Sequence, residues 1–149
     1  MNIDLRFDGA VRVSKLGTEM GWGVAVFVEG RYEDEFCVTG GSLGFPTSSV
    51  NIAEWEGCIA AMKLAYDLFG PERDPEDIIT VYGDSEVIVK QFNQEYTMKE
   101  KFYEYYNRAK EYADKMGIKK IIWQERKFNK HADVLSKIGL QQILINISV

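Results

Sequence analysis

Hydrophobic periodicity changes partway along this chain, and the change narrows the folds open to it. Up to about Thr39 the chain reads as strands: Ile3, Leu5 and Phe7 alternate with Asp4 and Arg6, residues 21–28 form a second strand and about 32–39 a third. A period of two is that of a strand with one buried face. Glu29-Gly30-Arg31 makes a tight turn, so the second and third strands form a hairpin. The first strand is expected to end at Asp8-Gly9. From Asn51 the spacing becomes helical, with Ala53, Ile59, Ala60, Met62 and Tyr66 on one pattern. Ser48 or Ser49 is the expected cap, Gly70-Pro71 the stop, and the connection before the helix contains Pro46.

Beyond Pro71, short β-branched runs alternate with helical segments. A strand is expected at residues 77–82, a helix at 86–92 and a tyrosine-rich helix at 98–116, ended by Gly117. A fifth strand follows at 118–124, then a helix capped by Asn129 and stopped by Gly139. This order predicts one α/β domain: a mixed five-stranded sheet, three antiparallel meander strands plus two helix-linked strands, with helices on both faces. The apolar tail at 140–149 lies beyond it, as an edge strand, a cover for the sheet or a subunit contact. Trp22 and Trp123 are expected in the core. Tyr103, Tyr105, Tyr106 and Tyr112, with Phe102, read as a packing stripe before a stacking platform.

A chain of 149 residues supports one sizeable core and not two. Cys37 and Cys58 lack metal or redox spacing, so both are expected as free thiols, with the cytoplasm as the default compartment. No leader-like or membrane-length apolar run is present, and a monomer is the simplest state. The net charge of −5 argues against a strongly basic nucleic-acid footprint. That charge is uneven: residues 1–83 carry −8 and residues 84–149 carry +3.

Four carboxylates occur where strand patterns give way to turns or helices: Asp8, Glu54, Asp84 and Asp133. Singly, each reads as a surface charge or a helix-start acid. Gathered at one end of a sheet, they would repel one another unless divalent cations neutralised them. Oxygen ligands suit Mg²⁺ or Mn²⁺, and two such ions can clamp a phosphodiester, which points to a nuclease. Lys119-Lys120, Arg126-Lys127 and Lys130 flank the last strand and helix, where phosphate contact competes with a solvated rim.

The blocks F-D-G-A at 7–10, N-I-A-E at 51–54, Y-G-D-S at 82–85 and N-x-x-A-D at 129–133 resemble ribonuclease H of type 1 in order and spacing. The resemblance covers the chain to Gly139. It implies a ribonuclease H-like sheet and hydrolysis of the RNA strand of RNA·DNA hybrids with two divalent ions, Mg²⁺ or Mn²⁺. It implies that Asp8 bridges both ions, that Asp133 holds the water-side ion, and that Glu54 and Asp84 hold the leaving-group side. Gly9, Asn51, Ser85, Asn129 and Lys130 would contact substrate, Asn51 in the hybrid's minor groove. Three departures stand out. His131, the only histidine, lies inside the last block and not on the loop before it; Val50 replaces a second asparagine; and no basic insertion precedes the tyrosine-rich helix. A nuclease for structured DNA and a non-catalytic nucleic-acid-binding module are the alternatives.

Overall fold

The computed structural model describes residues 1–15, 17–43, 49–70 and 72–148. Strand β1 (Asn2–Ser14) pairs antiparallel with β2 (Gly17–Val28) along its whole length, from Ile3↔Val28 to Ser14↔Gly17. Gly30, at φ 79°, supplies the left-handed turn conformation that leads out of β2. Beyond it, β3 (Arg31–Tyr32) and β4 (Val38–Leu43) follow one another along the same edge of β2, separated by a 3₁₀ turn at Asp34–Phe36. On the other side of β1, β5 (Ile78–Gly83) runs parallel to it, and β6 (Ile122–Trp123) runs parallel to β5. The six segments therefore occupy five strand positions in one open mixed sheet.

Helix α1 (Val50–Phe69) packs on one face across β1 and β2, with α2 (Glu86–Phe92) and α3 (Tyr103–Met116) beside it. Helix α4 (Lys130–Ser148) covers β2, β4 and part of β1. Ile3, Leu5 and Phe7 meet Trp55, Met62 and Phe92 in the main core. Burial of such side chains stabilises the fold by about 1.5–3 kcal/mol each. Trp55 keeps its indole N–H satisfied by donating to Gln91 Oε1 at 3.1 Å. Among the described residues no helix is long and apolar enough to cross a membrane.

Several boundaries differ from the expectation. β1 does not stop at Asp8-Gly9 but runs on to Ser14, because β2 offers it a partner throughout. Gly9 is an extended strand residue; a Cβ there would collide with the main chain of Ala53 and Glu54, so close helix approach is what requires the glycine. The third meander strand is broken by its 3₁₀ turn, and the last strand shrinks to two residues. α3 begins at Tyr103, after a separate 3₁₀ turn at Glu100–Phe102. Ser49 flanks α1 without a side-chain cap; its carbonyl accepts from Ile52 and Ala53 N–H at 3.1 and 3.2 Å. Ser48, Pro46 and Pro71 lie outside the described residues. Gly117 does end α3, at φ 69°, with Ile118 N–H reaching back to Ala113 O at 2.9 Å.

Gly139 is not a stop. It sits inside α4, and residues 140–148 continue the helix where an edge strand was one expectation, with Leu140 and Ile143 buried. A Cβ on Gly139 would strike the carbonyl oxygen of Gly40, and one on Gly41 would strike that of Gly139. The helix lies almost main chain to main chain on β4. Gly139→Ala is therefore expected to destabilise the protein by about 1–3 kcal/mol through overpacking. On an exposed helix the same change would be favourable by about 1 kcal/mol. A urea melt checks the sign, and a midpoint that rises would remove the packing role.

Candidate metal and catalytic centre

The site forms where the sheet changes width. β5 stops pairing with β1 at Phe7↔Gly83, so Asp8 is the first residue of β1 beyond that partner, and Asp84 is the first beyond β5. Asp8 therefore lies within a strand and not at its end. Glu54 comes from the fifth residue of α1, brought in by the contact between that helix and Gly9. Asp8, Glu54 and Asp84 each offer an oxygen, and these lie within 4.8 Å of one another. Asp8 is fully buried and Glu54 is 2 % exposed. Asp8 Oδ1 accepts from Gly9 N–H at 2.9 Å, whereas Asp8 Oδ2 and Glu54 Oε2 are buried with no donor except a proton shared between the two acids.

Burial pushes the Asp8 carboxyl up to about 6, helped by the charges of Asp84 and Asp133. Glu54 is pushed up to about 10, again by burial first and then by the Asp8 charge. Asp84 is raised by burial, against the Asn129 hydrogen bond and the nearby Arg126, which favour its ionised form. Partnerless carboxylate oxygens held this close are costly in a metal-free protein and are the hard donors a divalent cation requires. The residues present fit such an ion.

Asp133 stands beside this set and not within it. It occupies the first turn of α4, is 31 % exposed, and its Oδ2 pairs with Lys137 Nζ at 3.0 Å. Glu56, the alternative acid on α1, is turned away and bound to Arg108 at 2.9 Å. Asn51 is the second residue of α1, inside the helix and so not its cap, one turn before Glu54. Ser85 caps α2, its hydroxyl accepting from Ile88 N–H at 3.4 Å. Gly9 is buried with its N–H engaged by Asp8, and Lys130 borders a separate apolar groove. That groove, about 430 Å³ and lined by Tyr32, His131, Val134, Leu135 and Ile138, contains none of the four carboxylates.

His131 faces the same groove, its ring 4.2 Å from Tyr32 and 5.4 Å from Phe27, centroid to centroid. His131→Ala is expected to lower the hybrid cleavage that the resemblance implies by far less than the roughly 10²-fold of a lost general acid or base. A small loss of stability, about 0.5–1.5 kcal/mol, should accompany the lost ring contacts. A drop of two orders in kcat with an unchanged melt would reverse that assignment.

Trp123 was expected in the core and is instead 47 % exposed, its indole N–H donating to the Asp84 carbonyl at 3.1 Å. The short edge strand explains the difference, since among the described residues β6 is the last strand of the sheet. Trp22 is half-buried. Tyr105, Tyr106 and Tyr112 pack partly against the main core, Phe102 is buried, and only Tyr103 of the group is exposed. Cys58 is buried and Cys37 half-buried, both free. Arg126 was legible as a rim charge, but its influence on Asp84 was not, because that depends on the turn at Arg126–Phe128 lying beside β5.

The sheet order, the helix placement and the carboxylates at the β1–β5 step define a ribonuclease H-like fold with a cation-suited acidic centre. The sequence matches the Reverse transcriptase-like family over residues 6–139, and the chain belongs to that family. Its fold is that of type 1 ribonuclease H structures. RNase H1 from the halophilic archaeon Halobacterium salinarum NRC-1 is 24 % identical, with a TM-score of 0.74 over 95 % of this chain and 99 % of that one. LC11-RNase H1, solved in complex with an RNA/DNA hybrid, is 23 % identical, with a TM-score of 0.76 over 94 % and 97 %. The N-terminal RNase H domain of a Mycobacterium tuberculosis protein is 21 % identical, with a TM-score of 0.72 over 95 % and 94 %.

Proposed function

We propose that this chain is an endoribonuclease that hydrolyses the RNA strand of RNA·DNA hybrids with two divalent cations, Mg²⁺ or Mn²⁺, leaving 3′-hydroxyl and 5′-phosphate ends. The observation that carries the reading is the close trio of buried Asp8 and Glu54, each with a partnerless oxygen, and half-buried Asp84, on a fold shared with a hybrid-bound ribonuclease H1. Asp8, central and fully buried, is suited to bridge both ions. Asp133, whose pairing through Oδ2 leaves its other oxygen available, would hold the water-side ion. Glu54 and Asp84 would hold the leaving-group side. When bound, the ions supply Lewis acidity and a nucleophile active near neutral pH.

The rest of the chain binds and orients. Asn51, one turn before Glu54, would read the hybrid's minor groove, and Glu54 would meet the 2′-hydroxyl that separates RNA from DNA. Arg126, Lys127 and Lys130 lie exposed before and at the start of α4, where they suit phosphates entering past Asp84. Their positive charge offsets the acidic first half of the chain locally. A gel assay of a uniform RNA·DNA hybrid, an RNA duplex and a DNA duplex, each with Mg²⁺ or Mn²⁺, tests the reading. Cleavage confined to the hybrid's RNA strand is expected. Cleavage of the DNA duplex alone would transfer the site to a DNA nuclease, and an intact hybrid would end the proposal.

A further inference from the structure

We infer that Asn129 is a positioning residue, which fixes the Asp84 carboxylate against β1 and does not touch substrate. This inference rests on the metal-site reading above. Asn129 is 1 % exposed, so its side chain offers a hybrid no surface. Its Nδ2 donates two hydrogen bonds, to the Phe7 carbonyl and to Asp84 Oδ2, both at 2.9 Å. The Phe7 main-chain carbonyl can only accept, so the amide must turn Nδ2 towards it, and the same orientation meets Asp84 Oδ2. That orientation leaves Asn129 Oδ1 buried without a partner. An acceptor is left unsatisfied in order to keep both donors where they are, which is an unfavourable arrangement unless the donors matter.

The clamp ties β1 to the residue after β5 one step past their last sheet pair. Phe7 is the last β1 residue paired with β5, and Asp84 is the first residue after β5, so one amide closes the step between them. The main-chain carbonyl of the same asparagine accepts from Asp133 N–H at 3.1 Å, joining the start of α4. The preceding residue is held as well, because Arg6 Nη1 donates to the Phe128 carbonyl at 2.9 Å. Asn129 thus touches Asp84 directly and Asp133 through the backbone, and both lie beside Asp8. A neutral donor is what the place requires. An acid would add a further negative charge, and an aliphatic residue would leave Asp84 free to rotate.

The test is manganese binding and hybrid cleavage by Asn129→Ala, with Asn129→Ser as the milder variant whose hydroxyl can satisfy one of the two acceptors. Binding is read from the rise in melting temperature with added Mn²⁺, which needs no activity. Losing an outer-shell partner typically weakens metal affinity or activity by about 10–100-fold. Asn129→Ala should therefore need about tenfold or more Mn²⁺ for half its shift, and Asn129→Ser an intermediate amount. On hybrid, kcat should fall in step while KM stays within about twofold, since no ground-state contact is removed. A raised KM with unchanged kcat would make Asn129 a substrate contact, and wild-type manganese affinity in either folded variant would overturn the clamp. If wild type itself shows no Mn²⁺ shift, the metal-site reading fails and takes the inference with it. If wild type and variants bind Mn²⁺ alike, only the inference fails.

Discussion

Asp8→Asn should reduce cleavage of a uniform hybrid by about 10³-fold or more, because several kcal/mol of charge stabilisation depend on the carboxylate assigned to both ions. The change is nearly isosteric, so the Gly9 N–H bond to Oδ1 and the strand pairing survive it. Glu56→Gln should leave cleavage within about twofold, since it weakens only the partly exposed pair with Arg108, whose worth is about 0–1 kcal/mol. Comparable losses from the two changes would mean that the acid on α1 has been assigned to the wrong turn. Initial rates at saturating Mg²⁺, with melts to confirm folding, decide the matter.

The metal-free protein should lose stability as pH rises, the reverse of ordinary acid denaturation. Asp8 and Glu54 are both held above their ordinary carboxyl values, to about 6 and about 10. Between the unfolded and folded values the native state binds more protons than the unfolded one, so stability falls with increasing pH. The contribution is intact below about pH 4 and is lost through pH 6 for Asp8, with Glu54 extending the decline towards pH 10. Glu54→Gln should flatten the profile by removing the charge that burial opposes most. Millimolar Mn²⁺ should raise the melting temperature most at the alkaline end, where both acids are ready to bind it. Stability that climbs from pH 5 to pH 8 without metal would contradict the burial of the pair.

Sequence periodicity was enough to place most elements, because alternation and helical spacing are local. The turn at Gly30, the stop at Gly117 and the position of Asp84 just past β5 all follow from residues near them. What escaped was decided across the fold. Gly9 and Gly139 read as punctuation, since glycine usually ends an element, yet both stand inside one where a neighbouring main chain leaves no room for Cβ. Trp123 read as core because tryptophan in an apolar run usually is; that β6 is the sheet's last strand among the described residues is a fact of topology. The carboxylates were legible as a group by their order. Their inequality was not: three lie together with unequal proton affinities, while Asp133 waits beside them on Lys137. Sequence order carries no information about who is paired.

At Gly9 and Gly57 the central strand and α1 meet through main-chain atoms, and a Cβ at Gly57 would lie 2.8 Å from the Asp8 carbonyl. The spacing of Asp8 and Glu54 is thus gauged by peptide units, which do not change with the identity of the side chains packed around them. Most interior substitutions act by leaving or overfilling space between side chains. Drift in the core can then make this molecule more or less durable while leaving each folded copy with the same separation between Asp8 and Glu54. The ruler is made of backbone, and only the two glycines can be edited to bend it.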